Sequence, residues 1–267
     1  MIVIKVGGSA GIDLEKLCDD FADLVKAGKQ PVMIHGANVE ATEISHKLGH
    51  PPRFVTSVSG YESRYTDEQT MNILLMVYSG KVNKRIVELL QKRGVNAVGI
   101  SGCDGRLLEC IRKDTLRIKE GTKRKVLRGD HSGKIENVNT GLLEILLSNG
   151  YSPVISPMSI SHESDIVNVD GDRAAAMIAM ALNADTLVML SNTPGLLKEV
   201  EDENSLIERI PKNELGSFME YAQGRMKKKV MGAGEALDGG VRQVVFADAR
   251  IEKPITKAVE GAGTVIG

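Results

Sequence analysis

Residues 1–11 read MIVIKVGGSAG. Met1-Ile2-Val3-Ile4 with Val6 is a short apolar run, the pattern of a strand covered on both faces, as in a parallel sheet. Lys5 interrupts that run, and an unpaired ammonium inside a sheet is costly. Something anionic must meet it. The Gly7-Gly8 pair that follows permits a tight turn and close approach of a ligand to the backbone. If a helix comes next, its first amides can receive phosphate oxygens. The spacing is that of neither a P-loop nor a dinucleotide fingerprint, so the stretch alone equally suits a plain strand-to-helix turn.

Outward from this stretch, apolar runs recur at 31–35, 97–100, 153–156, 186–190 and 243–247. Helical periodicity occupies 13–27, 39–48, 67–93, 140–149, 172–182 and 225–237. This alternation predicts an α/β fold with a mostly parallel, open central sheet flanked by helices. Periodicity fades in MSISHESDIVNVDG, so a break between two lobes is expected near 157–171, giving an N-terminal lobe of about 1–156 and a C-terminal lobe of about 157–267.

The 267 residues suffice for a full core, and 42% hydrophobic with 26% charged residues is ordinary for a soluble chain. A net charge of −1 gives no overall pull toward nucleic acid or membrane, and neither partner is expected. No basic stretch leads into a long apolar run, so neither signal peptide nor transmembrane helix is expected, and the chain reads as cytoplasmic. Cys18, Cys103 and Cys110 lack C-x-x-C spacing and read as reduced thiols. With no Trp and four Phe, the core must be built from aliphatic residues and Met.

The segment 112–134, RKDTLRIKEGTKRKVLRGDHSGK, departs from the alternation. Its nine Lys and Arg against Asp114, Glu120 and Asp130 leave a local net of +6 with His neutral. Glu120-Gly121 between β-branched and basic residues predicts an exposed hairpin. It is either a solvated arm or a docking face for an acidic partner.

Other stretches carry polar groups at strand ends. VMIHGANVEAT repeats strand, glycine turn and helix, and places His35-Gly36 where open α/β sheets bind ligands. His35 equally suits a packed position. NVDGDRAAAMIAMAL carries Asn168, Asp170 and Asp172 at alternate positions before a helix. Asp172 suits an N-cap or first-turn role, and the alternation also suits a cation or a pair of lysines. LVMLSNTPGLL ends a strand in a turn shaped by Pro194-Gly195, and GRMKKKVMGAGEAL opens a helix with three lysines, a common solvated face.

In order along the chain, IKVGGS, IHGAN, SRYTD, GKVNKRIVELL, NVDGDRAA, LSNTPGLL and GRMKKKV resemble the amino-acid kinase family, near the acetylglutamate kinases. GHPPRF, SGCDGRL, RGDHSGK, AQGRMKKKVMGA and VVFADARIEKPI are similar to the branch that phosphorylates aminoadipate bound to an acidic amino-group carrier protein, some of whose members accept carrier-bound glutamate. The resemblance implies a three-layer αβα sandwich of one kinase domain, a homodimer, and transfer of the γ-phosphoryl of ATP to a side-chain carboxylate in lysine, and in some cases arginine, biosynthesis. A carboxylate is already ionised at neutral pH, so alignment and charge neutralisation suffice and no general base is needed.

By the same resemblance, Lys5 and Lys229 contact the phosphoryl group and Asp172 orients both lysines. Lys227 and Lys228 read as solvated. Gly7 and Gly8 supply close amides, with Ser191, Asn192, Gly195 and Leu196 on the nucleotide side. Arg64 and Asn168 hold the α-carboxylate, and the His35-Gly36 turn holds the end to be phosphorylated. Mg²⁺ is expected to be held mainly by ATP and water rather than by protein ligands. The carrier would dock on Arg53, Arg112, Lys113, Arg117, Lys123, Arg124, Lys125 and Arg128.

Two positions depart from the family pattern. Gly36-Ala37-Asn38 stands where three glycines are common, and Ala37 disfavours positive φ. Asn192 replaces an aspartate frequent in acetylglutamate kinases. The competing functions are a kinase of free N-acetylglutamate and, less compatible with retention of Lys5, Asp172 and Lys229, a catalytically silent effector-binding module.

Overall fold

The computed structural model describes residues 1–267 except Ser59, Tyr61, Thr122 and the side chain of Arg225. In chain order the elements are β1 (Ile2–Val6), α1 (Leu14–Lys26), β2 (Pro31–His35), α2 (Asn38–Lys47), β3 (Phe54–Ser57), β4 (Glu62–Arg64) and α3 (Glu68–Leu75). A π-helical segment (Met76–Val82) leads into α4 (Asn83–Gln91), β5 (Ala97–Ser101), β6 (Leu108–Glu120), β7 (Lys123–Val138), α5 (Thr140–Ser148) and β8 (Ser152–Ser156). Then come β9 (Met158–Ser161), β10 (Ile166–Asn168), α6 (Gly171–Ala181), β11 (Thr186–Ser191), β12 (Arg209–Ile210), α7 (Arg225–Asp238), β13 (Gln243–Asp248), α8 (Pro254–Val259) and β14 (Thr264–Ile266).

Eight strands form the central sheet in the order β12-β14-β13-β11-β1-β2-β8-β5. Its described pairings are parallel except β13–β14. Strands from residues 31–156 lie to one side of β1 and those from residue 186 onward to the other, with the β1–β11 ladder between them.

Period-two alternation sorts the strand residues between two cores. Val3, Val32, Ile34 and Met189 pack with α5, α6 and α7, whereas Ile4, Val6, Met33 and Val188 pack with α1, α4 and α8. Helix α1 shows the local logic. Asp13 caps it, its carboxylate accepting from the amides of Glu15 at 2.9 Å and Lys16 at 3.4 Å, while Leu17, Cys18 and Phe21 turn inward.

Three expectations gain detail. The basic segment forms the β6–β7 hairpin, largely exposed in its distal part, and its strands are also the middle of a second sheet, ordered β4-β3-β6-β7-β10-β9. The aperiodic stretch around 157–171 holds the β9–β10 antiparallel pair, strands too short to show a period. The 67–93 helix is continuous but changes to π-helical geometry over Met76–Val82, which apolar spacing does not signal.

The glycine turns after β1 and β2 are pressed together. Gly36 N donates to Val6 O at 2.8 Å and Val39 N to Gly8 O at 3.0 Å. A Cβ on Gly8 would lie 2.4 Å from the amide nitrogens of both Ala37 and Asn38, which are backbone and cannot swing aside. Ala37 itself has φ −154°, so the departure from glycine there needs no left-handed backbone. Gly8→Ala is expected to lower stability by about 1–3 kcal/mol, read as a drop in urea midpoint. Gly216→Ala, where a Cβ meets nothing within 4 Å, should leave the midpoint in place.

Candidate active site

Lys5 shares the face of Val3, so its side chain leaves the sheet toward α6. Helix α6 is capped by Asp170, whose carboxylate accepts from Asp172 N at 2.9 Å and Arg173 N at 3.1 Å. The cap is therefore Asp170, which frees Asp172, in the first turn, to face the sheet. Lys5 Nζ lies 2.6 Å from Asp172 Oδ1, and Lys229 Nζ, arriving from α7, lies 3.3 Å from Oδ2 and 3.4 Å from Oδ1. The three side chains are only 10%, 15% and 12% exposed for Lys5, Asp172 and Lys229.

Burial would push the Asp172 carboxyl upward, but the two ammonium groups outweigh it and hold it well below the usual carboxylate range. Lys229 is lowered by burial and then by the neighbouring Lys5 ammonium, with Asp172 opposing both. Two cations share one anion here. The surplus positive charge, at the carboxyl ends of β1 and β11, suits an incoming anion.

His35 takes the packed alternative. Val6 and His35 are register partners, so the ring follows Val6 and Met33 to the α4 face, away from Lys5. It is fully buried, accepts from Asn83 Nδ2 at 3.1 Å through Nε2, and donates through Nδ1 to Gly36 O at 3.3 Å. Burial lowers its pKa to about 4, with the Lys84 ammonium adding to the effect against the Gly36 hydrogen bond. A neutral ring fixes the turn from beneath; the turn, not the imidazole, faces the crevice.

Arg64 ends β4, with Nη2 donating to Thr42 Oγ1 at 3.0 Å and the guanidinium carbon 5.3 Å from the Phe54 ring centroid. Asn168 Nδ2 donates to Thr66 Oγ1 at 3.4 Å, and that hydroxyl donates to Arg64 O at 3.3 Å, which brings the two expected carboxylate ligands together. Sequence reasoning missed what suspends them. Asp130, fully buried, accepts from Thr66 N and Ser132 N, both at 2.9 Å. His131 N donates to Thr66 O at 2.7 Å and Tyr65 OH to Arg128 O at 2.7 Å. Gly129, at φ +75°, allows the bulge that turns Asp130 inward.

In the turn after β11, which Ser191 ends, the Ser191 hydroxyl meets Thr193 Oγ1 at 3.2 Å, while Asn192 is exposed. Gly195 permits close approach to β14, since a Cβ would sit 2.4 Å from Thr264 Oγ1. The Leu196 amide donates to Thr264 Oγ1 at 2.8 Å, its carbonyl receives Ile207 N at 2.9 Å, and its side chain is in the core. It shapes the turn. Lys228 is not simply solvated; its Nζ reaches Glu62 O at 3.1 Å on β4. Lys227 is exposed.

The profile described as the amino acid kinase family matches residues 1–248. The chain belongs to the amino acid kinase family. It is 56% identical to the LysW-aminoadipate kinase of Deinococcus radiodurans, covering 100% of this chain and 91% of that one. It is 50% identical to the LysW-aminoadipate kinase of Thermus thermophilus, covering 100% of both. Among solved structures, N-acetylglutamate synthase from Neisseria gonorrhoeae superposes with a TM-score of 0.81 at 25% identity; the match covers all of this chain and 59% of the synthase. Members of the family transfer a phosphoryl group to a carboxyl-type acceptor.

The buried His35 gives a stability signature. Its folded pKa lies below the unfolded value, so the unfolded chain binds the proton first as pH falls. Stability from this group is complete above about 6.5 and is lost between there and about 4, by about 3 kcal/mol. Urea midpoints measured at pH 7.5 and 4.5 should fall less in His35→Gln than in the wild type. Equal falls would show that the ring is not held neutral.

Proposed function

We propose that this protein transfers the γ-phosphoryl group of ATP to the side-chain carboxylate of aminoadipate, and of glutamate, carried on an acidic amino-group carrier protein. The observation that carries the reading is the buried Lys5–Asp172–Lys229 cluster, cationic and free of any general base. The names of the two full-length bacterial relatives support the acceptor. The same reading takes the chain to work as a cytoplasmic homodimer.

One oxygen of the acceptor carboxylate attacks the γ-phosphorus. That O–P bond forms as the bond to the β,γ-bridging oxygen breaks, its electron pair leaves with ADP, and no proton moves. Lys5 and Lys229 follow the charge as it shifts from the acceptor to the leaving ADP. Asp172 keeps the two ammonium groups apart yet aimed at one point. Arg64 and Asn168 grip the α-carboxylate, and the Gly7-Gly8 and Ser191–Gly195 turns receive the nucleotide.

Both Asp172 oxygens are engaged by lysines. The donor set therefore fits Mg²⁺ arriving on ATP oxygens and water, where it neutralises triphosphate charge.

Carrier docking falls on one face of the β6–β7 hairpin. Register puts Arg117, Lys119, Arg124 and Arg128 on the same side, with Lys123 and Lys125 on the other, where Lys125 pairs with Glu120. Lys119 is thus added to the expected set. Arg112 leaves it, since it braces the hairpin base by donating to Asp165 Oδ2 at 2.8 Å and to Asp130 O at 3.0 Å. Arg53, exposed, lies 5.6 Å from the Tyr65 ring centroid at the edge of this face.

The test is ADP release with hydroxylamine trapping of the acyl phosphate, offering carrier-bound aminoadipate, carrier-bound glutamate and free N-acetylglutamate. Turnover confined to the carrier-bound forms supports the reading; turnover on free N-acetylglutamate alone would refute it. Lys5→Ala should lower kcat by roughly 10²–10³, as for loss of one transition-state donor. Near-normal turnover in that variant would remove Lys5 from the chemistry. Docking through exposed charges should raise the apparent KM for the carrier steadily with added salt, because the Debye length is about 8 Å near physiological ionic strength. A flat KM would assign the arginine face to solvent.

A further inference from the structure

We propose that Asn38 is a ligand of the acceptor carboxylate, holding through Nδ2 the oxygen that does not attack phosphorus, and that Tyr78 sets the orientation in which it does so. The inference rests on the reading above and adds the group that aligns the nucleophile.

Asn38 opens α2 against Gly8, its backbone nitrogen 2.4 Å from where a Gly8 Cβ would stand, and the residue is exposed. Asn38 thus adjoins Gly8, which follows Lys5 by three residues just past the carboxyl end of β1. The decisive contact is from the π-helical segment: Tyr78 OH donates to Asn38 Oδ1 at 2.8 Å. A primary amide has one accepting end and one donating end. With Oδ1 committed to Tyr78, the end turned toward a ligand is the NH₂ group, which suits a carboxylate. A freely rotating asparagine would also present its oxygen, which repels the same ligand.

The bulge is built to hold this contact. Ser79 Oγ meets Ser156 Oγ at 2.7 Å at the end of β8, and Lys81 pairs with Glu40 on α2. A short π segment inside an α-helix commonly serves a site in this way. An acceptor carboxylate needs such a hold: with one oxygen attacking, the other must be fixed or the nucleophile swings out of line.

The experiment compares wild type, Asn38→Ala and Tyr78→Phe by steady-state kinetics with the acceptor and ATP varied separately, each variant checked for cooperative melting. Asn38→Ala should raise the acceptor KM about 10- to 100-fold, the loss of a hydrogen bond to a charged group, with the ATP KM unchanged. Tyr78→Phe should raise the same constant by less and in the same direction. An acceptor KM within twofold of wild type in folded Asn38→Ala overturns the proposal, as does a parallel rise in the ATP KM. An unaffected Tyr78→Phe overturns the part assigned to Tyr78. A wild type inactive on every carboxylate acceptor would instead overturn the functional reading itself.

Discussion

One carboxylate shared by two lysines is the constraint on which the structure turns. Lys5 comes from the first strand, Asp172 from the start of α6 and Lys229 from α7, so the contact unites segments from both ends of the chain. Taking three charges out of water is expensive, and two ammonium groups cannot approach each other without the anion between them. The cluster is therefore stable only when β1, β11, α6 and α7 are all in place. It is also left one positive charge in excess, which suits an incoming anion.

The sheet divides labour between its faces. On the α6–α7 side the strand residues end in the charged cluster; on the α1–α4 side they end in a neutral, fully buried His35 held by Asn83. Between them the two glycine turns touch backbone to backbone. A ligand seated on these turns feels charge from one side and a rigid floor from the other. Precision here comes from packing beneath the turn, not from polar groups within it.

Much of this was legible from sequence. The β1 and β2 bounds follow from apolar runs bracketed by glycine, and Lys5 announced an anionic partner because a buried ammonium demands one. The face taken by His35 was not legible, since both faces of a covered parallel strand are apolar and parity has no outward sign. Asp130 was hidden inside a basic run; its inward turn depends on the Gly129 conformation and on an amide 64 residues away. The π-helical segment was invisible because a one-residue change in hydrogen-bond register leaves helical spacing intact. Strands β3, β4, β9 and β10 of the second sheet were missed for brevity, having three or four residues each.

The hairpin has two mechanically distinct parts. Its root, from Arg128 to Ser132, carries the hydrogen bonds to Tyr65 and Thr66, beside Arg64 and Asn168, while the span from Arg117 to Lys119 is held separately by β3, with Thr56 opposite Lys119, Ser57 opposite Ile118 and Val58 N donating to Arg117 O at 3.0 Å. It is a beam held at two points, and only the tip beyond Lys119 and Arg124 extends past both. Changes of length or charge over evolutionary time are absorbed most readily at that tip. The groups around Thr66 are insulated from them by the β3 pairing, although both ends occupy the same two strands.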